Sequence, residues 1–308
     1  MPLVSVPDAS WVAEVGEVAG VELVPWDLHE AHERARELVI VVPPYLDPRQ
    51  RLDLLVGLPE LRVVQLLTAG YEQALPQVPA GVQLCNAGGV HDASTSELTL
   101  ALILASLRGI PEFVAAQQDS RWLPTRLWEA LADRRVMVVG YGQVGRAVVR
   151  RLLPFEVQVT AVASRARAGD DLVDEVHGIE ELAALLPVQD VVVLIVPLSD
   201  STTGLVDAQF LAAMKDGALV VNVARGKVVD TQALLAETSS GRLRAALDVT
   251  DPEPLPADHS LWTSPGVLIS PHVGGASTAF RPRAVKLVRA QLQAYAWGSA
   301  LANVVATG

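Results

Sequence analysis

The sequence predicts an α/β protein of two domains, each built on a parallel sheet that helices cover. Three observations support this prediction. With 308 residues, the chain is longer than one average domain. Short apolar runs rich in valine recur along it as continuous stretches, which is typical of strands buried on both faces. Helical patterns lie between many of these runs.

Composition excludes several classes of function. Hydrophobic residues make up 50% of the chain and charged residues 19%, as expected of a folded protein. The net charge of −11 argues against nucleic-acid and anionic-membrane partners, because both require clustered Lys and Arg. A single cysteine, Cys85, excludes an intramolecular disulfide and fits a reducing compartment. Because no signal-like start and no apolar run of about 20 residues is visible, we expect a cytoplasmic protein. We assign no metal ligands.

The first block of apolar runs predicts four strands bounded by Pro, Gly or Asp, at Val21–Trp26, Leu38–Pro43, Arg62–Leu67 and Val82–Cys85. A helical pattern follows at His91–Arg108, and a polar, proline-interrupted connection lies around residues 117–125. The last helical pattern, about Ser277–Trp297, is too long to be a simple tail. We place the main part of the first domain at residues 1–98.

The second block predicts six further strands, at Val136–Val139, Val157–Val162, Asp190–Val196, Ala218–Val223, Ala245–Val249 and Val267–Ser270. Six strands with helices between them match a doubly wound, Rossmann-type dinucleotide-binding domain, which we place at residues 99–282. In such domains, ligands bind beyond the carboxyl ends of the strands. The side chains that follow each strand are therefore the candidates for function.

A glycine motif follows the first strand of this block. The apolar run leads into Gly140-x-Gly142-x-x-Gly145 and then into a helix. The first glycine allows a tight turn, the second lets the backbone approach a phosphate, and the third lets the helix pack closely on the strand. The amides of Gln143 and Val144 would face an anion at the helix N-terminus. The motif in this context predicts binding of a pyrophosphate.

The residues after the next strand indicate which dinucleotide binds. An enzyme that uses NAD usually carries an acid about 20 positions after the glycines, where it binds the adenosine ribose. Here that place holds Ser164, Arg165 and Arg167. A hydroxyl and two guanidinium groups suit a 2′-phosphate, so we favour NADP, with NAD as the alternative. In that alternative the arginines form a solvated surface turn, and Asp170 or Asp171 serves the ribose hydroxyls.

Three side chains follow later strands of the block: Arg225, Glu253 and His272. Arg225 suits bidentate binding of a substrate carboxylate and polarisation of the adjacent carbonyl. His272 suits proton donation, because histidine ionises near neutrality, and Glu253 would orient its ring and favour the protonated form. Each residue alone also fits a surface or loop position without a catalytic role. Together they predict hydride transfer between a nicotinamide cofactor and a small 2-oxo/2-hydroxy acid.

These motifs together resemble those of the D-isomer-specific 2-hydroxyacid dehydrogenase family. The resemblance extends from Gly140 to Gly275, and more faintly through the first domain. Beyond the glycine motif, it rests on Val196-Pro197-Leu198 with Thr202-Thr203-Gly204, Asn222-Val-Ala-Arg225-Gly226, Leu247-Asp248-Val-x-x-x-Glu253-Pro254 and Pro271-His272-Val-Gly274-Gly275.

The resemblance implies roles for individual residues. The catalytic set would be Arg225, Glu253 and His272. Asp248 would bind the nicotinamide carboxamide, and the cofactor would also contact Val196, Pro197, Ala224, His272 and Gly274. The backbone of Ala69 and Gly70 would donate to the substrate carboxylate.

The family's architecture is also implied by the resemblance. The first domain would be a smaller, flavodoxin-like α/β substrate domain. The chain would return to this domain at residues 283–308, and the substrate would bind in a cleft. The protein would be a homodimer joined through the cofactor domain.

The substrate remains open at this stage. The first-domain loop Gly70-Tyr71-Glu72-Gln73 lacks the Asp–Asn-like pair that is usual in the family at this place. The surface that faces the substrate can therefore differ from the family pattern. We expect a glyoxylate/hydroxypyruvate-type reductase. The alternatives are a dehydrogenase of another small anion, such as phosphite, and a cofactor-sensing protein that binds partners as co-repressors do.

Overall fold

Residues 1–307, which the computed structural model describes, form fourteen strands and eight α-helices. In chain order the strands are β1 (Leu3–Val6), β2 (Glu22–Pro25), β3 (Leu38–Val41), β4 (Val63–Gln65), β5 (Gln83–Cys85), β6 (Arg135–Val139), β7 (Gln158–Ala163), β8 (Arg167–Ala168), β9 (Glu175–Gly178), β10 (Val191–Leu194), β11 (Leu219–Asn222), β12 (Arg244–Leu247), β13 (Val267–Ile269) and β14 (Val304–Thr307). The helices are α1 (Ala9–Val15), α2 (Asp92–Leu107), α3 (Ile110–Gln118), α4 (Gln143–Leu152), α5 (Leu182–Leu185), α6 (Ala208–Ala213), α7 (Thr231–Ser239) and α8 (Phe280–Ala296).

The chain divides into two compact units. Unit 1 consists of Met1–His91 and the chain from Thr278 onward, and unit 2 consists of Asp92–Ser277. The predicted boundary at residue 98 falls inside α2 and is corrected, because the whole helix belongs to unit 2, where its buried Leu102 and Leu107 share a core with Val148 of α4. The second boundary also lies earlier than the predicted residue 283, since α8 already begins at Phe280.

Unit 1 is built on a six-stranded sheet in the order β14-β5-β4-β3-β1-β2. All neighbours are parallel except β14, which runs antiparallel to β5. Without β14 the order is 2-1-3-4-5, the flavodoxin-like order that the resemblance implied. Buried side chains of α1 and α8, among them Trp11, Val288 and Leu292, pack on one face of the sheet.

Unit 2 is built on an eight-stranded sheet in the order β13-β12-β11-β10-β6-β7-β9-β8. The strands are parallel except for β8, which runs antiparallel to β9. From β9 to β12 the order is 3-2-1-4-5-6, the order of dinucleotide-binding domains, so the predicted Rossmann-type fold is confirmed. The glycine motif lies between β6 and α4, at the point where the strand order reverses.

Four strands were missing from the sequence prediction: β1, β8, β9 and β14. Of these, β9 matters for the topology, because it is the third strand of the dinucleotide-binding order. Only Val176 and Gly178 are buried in it, so it lacks the continuous apolar run of the central strands. A strand near a sheet edge needs fewer apolar residues, and periodicity therefore misses it.

No single helix within residues 1–307 is long and apolar enough to cross a membrane. By length and composition together, the bent pair α2 and α3 passes the same test, with 69° between the two helices.

Candidate active site

The glycine loop between β6 and α4 leaves space in front of a helix N-terminus. Gly140 has φ +113°, and a side chain there would lie 2.4 Å from the carbonyl oxygen of Ile195. A side chain at Gly145 would lie 1.9 Å from the carbonyl oxygen of Gly140. A side chain at Gly142, in contrast, would meet no protein atom within 4 Å. The protein's own packing therefore requires the first and third glycines, while the space above the second remains open for a ligand.

This open space has the chemistry of an anion site. Gly142 is the N-cap of α4, which has ten residues. The first N–H groups of an α-helix, here those of Gln143 and Val144, have no partner within the helix and point outward with the positive end of the helix dipole. The arrangement therefore fits the pyrophosphate of a dinucleotide. Val196 and Pro197, which were predicted to contact the cofactor, follow β10, the neighbour of β6 in the sheet.

Two basic side chains lie beyond β7, as predicted for the ribose end of the cofactor. Ser164 and Arg165 are exposed in the bend after this strand, and Arg165 forms no hydrogen bond or ion pair within residues 1–307. Arg167 begins β8, and its Nη2 donates a 2.9 Å hydrogen bond to the carbonyl oxygen of Tyr141 in the glycine loop. The structure therefore brings Arg167 against the loop and leaves Arg165 available.

Asp170 and Asp171, the alternative ribose ligands, bind a neighbouring arginine. Arg146 Nη1 lies 2.5 Å from Asp170 Oδ2, and its Nη2 lies 2.6 Å from Asp171 Oδ1. The Tyr141 hydroxyl donates to Asp170 at 2.9 Å. Desolvation opposes the charge of Asp170, but the Leu172 amide, this hydroxyl and Arg146 outweigh it and lower the pKa of Asp170. Burial and the same hydrogen bond raise the pKa of Tyr141 to about 12.

A buried amide shapes the turn that carries Arg225. Asn222 ends β11 and is 1% exposed. Its Oδ1 accepts from the Ala224 amide at 3.0 Å, and its Nδ2 donates to the Arg225 carbonyl oxygen at 3.0 Å. Arg225 is half-buried, and its Nη1 donates to the Ala224 carbonyl oxygen at 2.7 Å. Asn222 thus fixes the backbone from which the guanidinium extends.

A buried carboxylate holds the loop that carries His272. Asp248 follows β12 and is 3% exposed. Its Oδ1 accepts from the Ser270 hydroxyl at 2.6 Å and the Val273 amide at 2.9 Å, and its Oδ2 accepts from the Gly274 amide at 2.8 Å. His272 itself has φ +52°, a left-handed conformation that is costly for a side chain with a Cβ. These hydrogen bonds stabilise that conformation.

The structure brings His272 and Glu253 together. Glu253 Oε1 lies 2.5 Å from His272 Nδ1, and the two side chains are 40% and 46% exposed. With Nδ1 bound to a carboxylate, the ring has a fixed orientation and its Nε2 is left to exchange a proton with a ligand. Within residues 1–307 there is no group of three or more His, Cys, Asp or Glu side chains that could hold a metal ion. The pair suits proton transfer.

Comparison with known proteins assigns the family. Residues 100–274 match the family model described as D-isomer specific 2-hydroxyacid dehydrogenase, NAD binding domain. The chain belongs to this family. It is therefore an NAD(P)-dependent oxidoreductase that acts on the CH–OH group of 2-hydroxy acids, as the sequence predicted.

Individual relatives of the dehydrogenase cover most of its length. A glyoxylate reductase/hydroxypyruvate reductase of Mus musculus is 34% identical over 70% of this chain and 68% of its own length. A glyoxylate reductase of Korarchaeum cryptofilum is 30% identical over 89% of this chain and 84% of its own.

Solved structures of similar proteins match nearly all of the dehydrogenase. The TT0316 protein of Thermus thermophilus superposes with a TM-score of 0.79 at 30% identity, over 99% of this chain and 100% of its own. An NADPH-dependent glyoxylate/hydroxypyruvate reductase of Sinorhizobium meliloti, solved with NADP and malonate, has a TM-score of 0.77 at 26% identity, over 99% and 97%.

In unit 1 of the dehydrogenase, Ala69 and Gly70 follow β4 in an exposed turn. The Thr68 hydroxyl donates to the Gly70 carbonyl oxygen at 2.7 Å, and Asn86 Nδ2 donates to the Ala69 carbonyl oxygen at 2.7 Å. Within residues 1–307 no hydrogen bond engages the N–H groups of Ala69 and Gly70. Both are available as donors, while their role toward a carboxylate stays a prediction.

Sequence reasoning missed three positioning residues of the dehydrogenase. Asn222 was recognised only as part of a motif and Asp248 only as a partner of the nicotinamide carboxamide. Their hydrogen bonds to the turns that carry Arg225 and His272 were not predicted. The third is Thr95 on α2, whose Oγ1 donates to the Gly274 carbonyl oxygen at 3.2 Å. The signal that could have revealed it is the polar start Asp92-Ala-Ser-Thr-Ser of a helix that continues with mostly apolar residues.

Proposed function

We propose that this dehydrogenase is a glyoxylate/hydroxypyruvate-type reductase that prefers NADPH. The observation that carries the proposal is the contact between His272 and Glu253, at 2.5 Å, in the dinucleotide-binding unit. In the sheet of this unit, β11, which leads into the turn of Arg225, is the neighbour of β12, which precedes Glu253. The names of the mouse and archaeal relatives support the choice of a small 2-oxo acid as substrate.

Each catalytic side chain has a distinct task in this proposal. A bound nicotinamide would supply the hydride for the carbonyl carbon of the substrate. Arg225 binds the substrate carboxylate through its fork and polarises the carbonyl. His272 donates the Nε2 proton to the carbonyl oxygen, which completes the hydroxyl group. Glu253 stabilises the protonated ring through Nδ1 and keeps Nε2 turned to the substrate.

The cofactor site in the proposal follows the carboxyl ends of the strands of unit 2. The amides of Gln143 and Val144 bind the pyrophosphate over Gly142. The nicotinamide half would be held by residues that follow β10 to β13: Val196, Pro197, Ala224, Asp248, His272 and Gly274. Asp248 already accepts three hydrogen bonds from the loop that carries His272, so a carboxylate with about four acceptor sites keeps one for the carboxamide.

The preference for NADPH rests on the residues after β7. Ser164, Arg165 and Arg167 provide one hydroxyl and two guanidinium groups for a 2′-phosphate. The acids that would bind the ribose of NAD are instead paired with Arg146. The related Sinorhizobium meliloti reductase is described as NADPH-dependent, which supports the same choice here.

We also propose a cytoplasmic homodimer joined through unit 2. Large apolar side chains are exposed along α3 and the segment after it: Phe113 at 39%, Val114 at 51%, Trp122 at 96% and Leu127 at 102%. Apolar patches of this kind are typical of interfaces. The buried free thiol of Cys85 fits a reducing compartment. Sedimentation of the wild type beside Trp122→Ser tests the dimer, because the variant should sediment as a lighter species.

The experiment that tests the function uses purified protein with NADPH and a panel of 2-oxo acids. Loss of NADPH absorbance is followed with glyoxylate, hydroxypyruvate and pyruvate, and its appearance is followed with NADP⁺ and phosphite. We expect the highest kcat/KM with glyoxylate or hydroxypyruvate. Turnover of phosphite without turnover of any 2-oxo acid would overturn the proposal.

A further inference from the structure

The first turns of α4 carry an arginine that bridges two acids of another element. Arg146 directly follows the third glycine of the motif, and its two terminal nitrogens bind separate carboxylates, those of Asp170 at 2.5 Å and Asp171 at 2.6 Å. Arg150, one turn further along α4, lies 3.8 Å from Asp171. We call Arg146, Asp170 and Asp171 the acid clamp.

The acid clamp lies beside the residues proposed to bind the 2′-phosphate. Strands β8 and β9 form an antiparallel hairpin, and the two acids lie in its turn, where the Asp170 amide donates to the Val173 carbonyl oxygen at 2.9 Å. The first strand of the hairpin begins with Arg167, only three residues before Asp170. Tyr141 links both parts, because its carbonyl accepts from Arg167 and its hydroxyl donates to Asp170.

Two negative charges in this place should act against a phosphate. Free carboxylates beside Arg165 and Arg167 would attract those guanidinium groups and repel the 2′-phosphate of NADPH. They would not repel the ribose hydroxyls of NADH, which carry no charge and readily donate to carboxylates. The side chain of Arg146 weakens both effects, because its guanidinium pairs with both carboxylates at once and offsets part of their negative charge.

We propose that Arg146 determines the cofactor preference indirectly, by pairing with Asp170 and Asp171 so that Arg165 and Arg167 remain available to the 2′-phosphate. Arg146 is in this sense a specificity-determining residue that does not itself bind the cofactor. The inference rests on the proposed preference for NADPH, but it concerns the change in preference between variants, which is measured separately.

The test measures the dissociation constants of NADPH and NADH for the full-length protein by calorimetry. In Arg146→Gln, we expect NADPH to bind about tenfold more weakly and NADH to change by less than about twofold, because the released charges act most strongly on the 2′-phosphate, which NADH lacks. In the triple variant Arg146→Gln with Asp170→Asn and Asp171→Asn, NADPH affinity should return to near the wild-type value.

Two further variants keep the test independent of folding defects. Arg151→Gln is the matched control, since it lies on the same helix, loses the same charge and pairs with Glu97 at 3.7 Å away from the hairpin; its two dissociation constants should stay unchanged. Asp170→Asn with Asp171→Asn retains Arg146 and should tighten NADPH severalfold without changing NADH. The melting temperature of each variant is recorded.

Three results would overturn the inference. One is an unchanged ratio of the two dissociation constants in Arg146→Gln. Another is a loss that the triple variant does not restore, because Arg146 would then bind the phosphate directly. The third is weaker NADPH binding when the two acids alone are replaced. A wild type that binds NADH more tightly refutes the proposed cofactor preference instead, and the ratios between variants still decide the role of Arg146.

Discussion

The two ends of the proposed cofactor site in unit 2 are held by different kinds of contact. At the catalytic end, buried polar groups fix the backbone: Asn222 is 1% exposed and Asp248 is 3% exposed. At the ribose end, the contacts are ion pairs at the surface, and Asp171 has 66% of its side chain exposed. Proton transfer requires a fixed geometry, whereas discrimination of a phosphate requires mainly a favourable local charge.

The physical reason lies in the solvent. A buried acceptor that loses its donor costs about 1–3 kcal/mol, and Asp248 has three donors in one loop. Exposed ion pairs contribute about 0–1 kcal/mol each and weaken with salt. Changes at the catalytic end should therefore be large and insensitive to salt, and changes at the ribose end should be smaller and sensitive to salt.

The largest effect is expected at His272. Replacement by Asn removes the proton donor but keeps a residue that tolerates the left-handed backbone found there. We expect kcat for reduction to fall about 10²–10⁴-fold. His177→Asn is the matched control, because His177 also pairs with a glutamate, Glu181 at 3.0 Å, and it should keep the wild-type rate. Equal activity of both variants would remove His272 from the chemistry.

The next effect is expected at Arg225. Arg225→Lys keeps the charge and loses the fork, so we expect a loss of about 2–4 kcal/mol of transition-state stabilisation, measured as kcat/KM. Cofactor binding should change little. Arg134→Lys, at the opposite end of the strands, serves as the control and should have no effect. A near-normal kcat/KM in Arg225→Lys would show that Arg225 is a structural charge.

A smaller effect is expected at Arg165, and it should depend on salt. The wild type should prefer NADPH over NADH by about ten- to a hundredfold in kcat/KM, because one charge-assisted contact contributes about 1.5–3 kcal/mol. Arg165→Ala should lose most of this preference and leave the NADH rate intact. Added salt should weaken NADPH more than NADH. Equal rates with both cofactors in the wild type would mean that the arginines form only a surface turn.

The smallest effect is expected at Glu253. Its carboxylate orients the His272 ring through Nδ1, and Glu253→Gln keeps a polar side chain of the same size but loses the charge. We expect kcat/KM for reduction to fall about tenfold, with little change in cofactor binding. Glu181→Gln, which changes the pairing of His177 in the same way, should keep the wild-type kcat/KM. An unchanged kcat/KM in Glu253→Gln would show that Glu253 does not act through His272.

Local patterns were enough to select the candidate site residues of unit 2. The turn after an apolar strand identified Gly140 and Arg225, because in a parallel sheet every strand presents its carboxyl end at the same edge. The same reasoning predicted His272 and Glu253, which the structure brings to 2.5 Å. It missed β9, the second strand from one edge of the sheet, where few apolar residues are needed. It also placed a boundary inside α2, whose packing against α4 puts the whole helix in unit 2.

The sequence by itself determined the family, the two-unit α/β architecture and the side chains available for chemistry, because these depend on local periodicity and on motifs that are short in the chain. Only the tertiary structure decided which hydrogen bonds and ion pairs position these side chains. Asp248 binds an amide 26 residues away, and Arg146 binds a carboxylate 25 residues away. Such contacts depend on which strands become neighbours in the sheet, and no pattern within a single strand or helix specifies them.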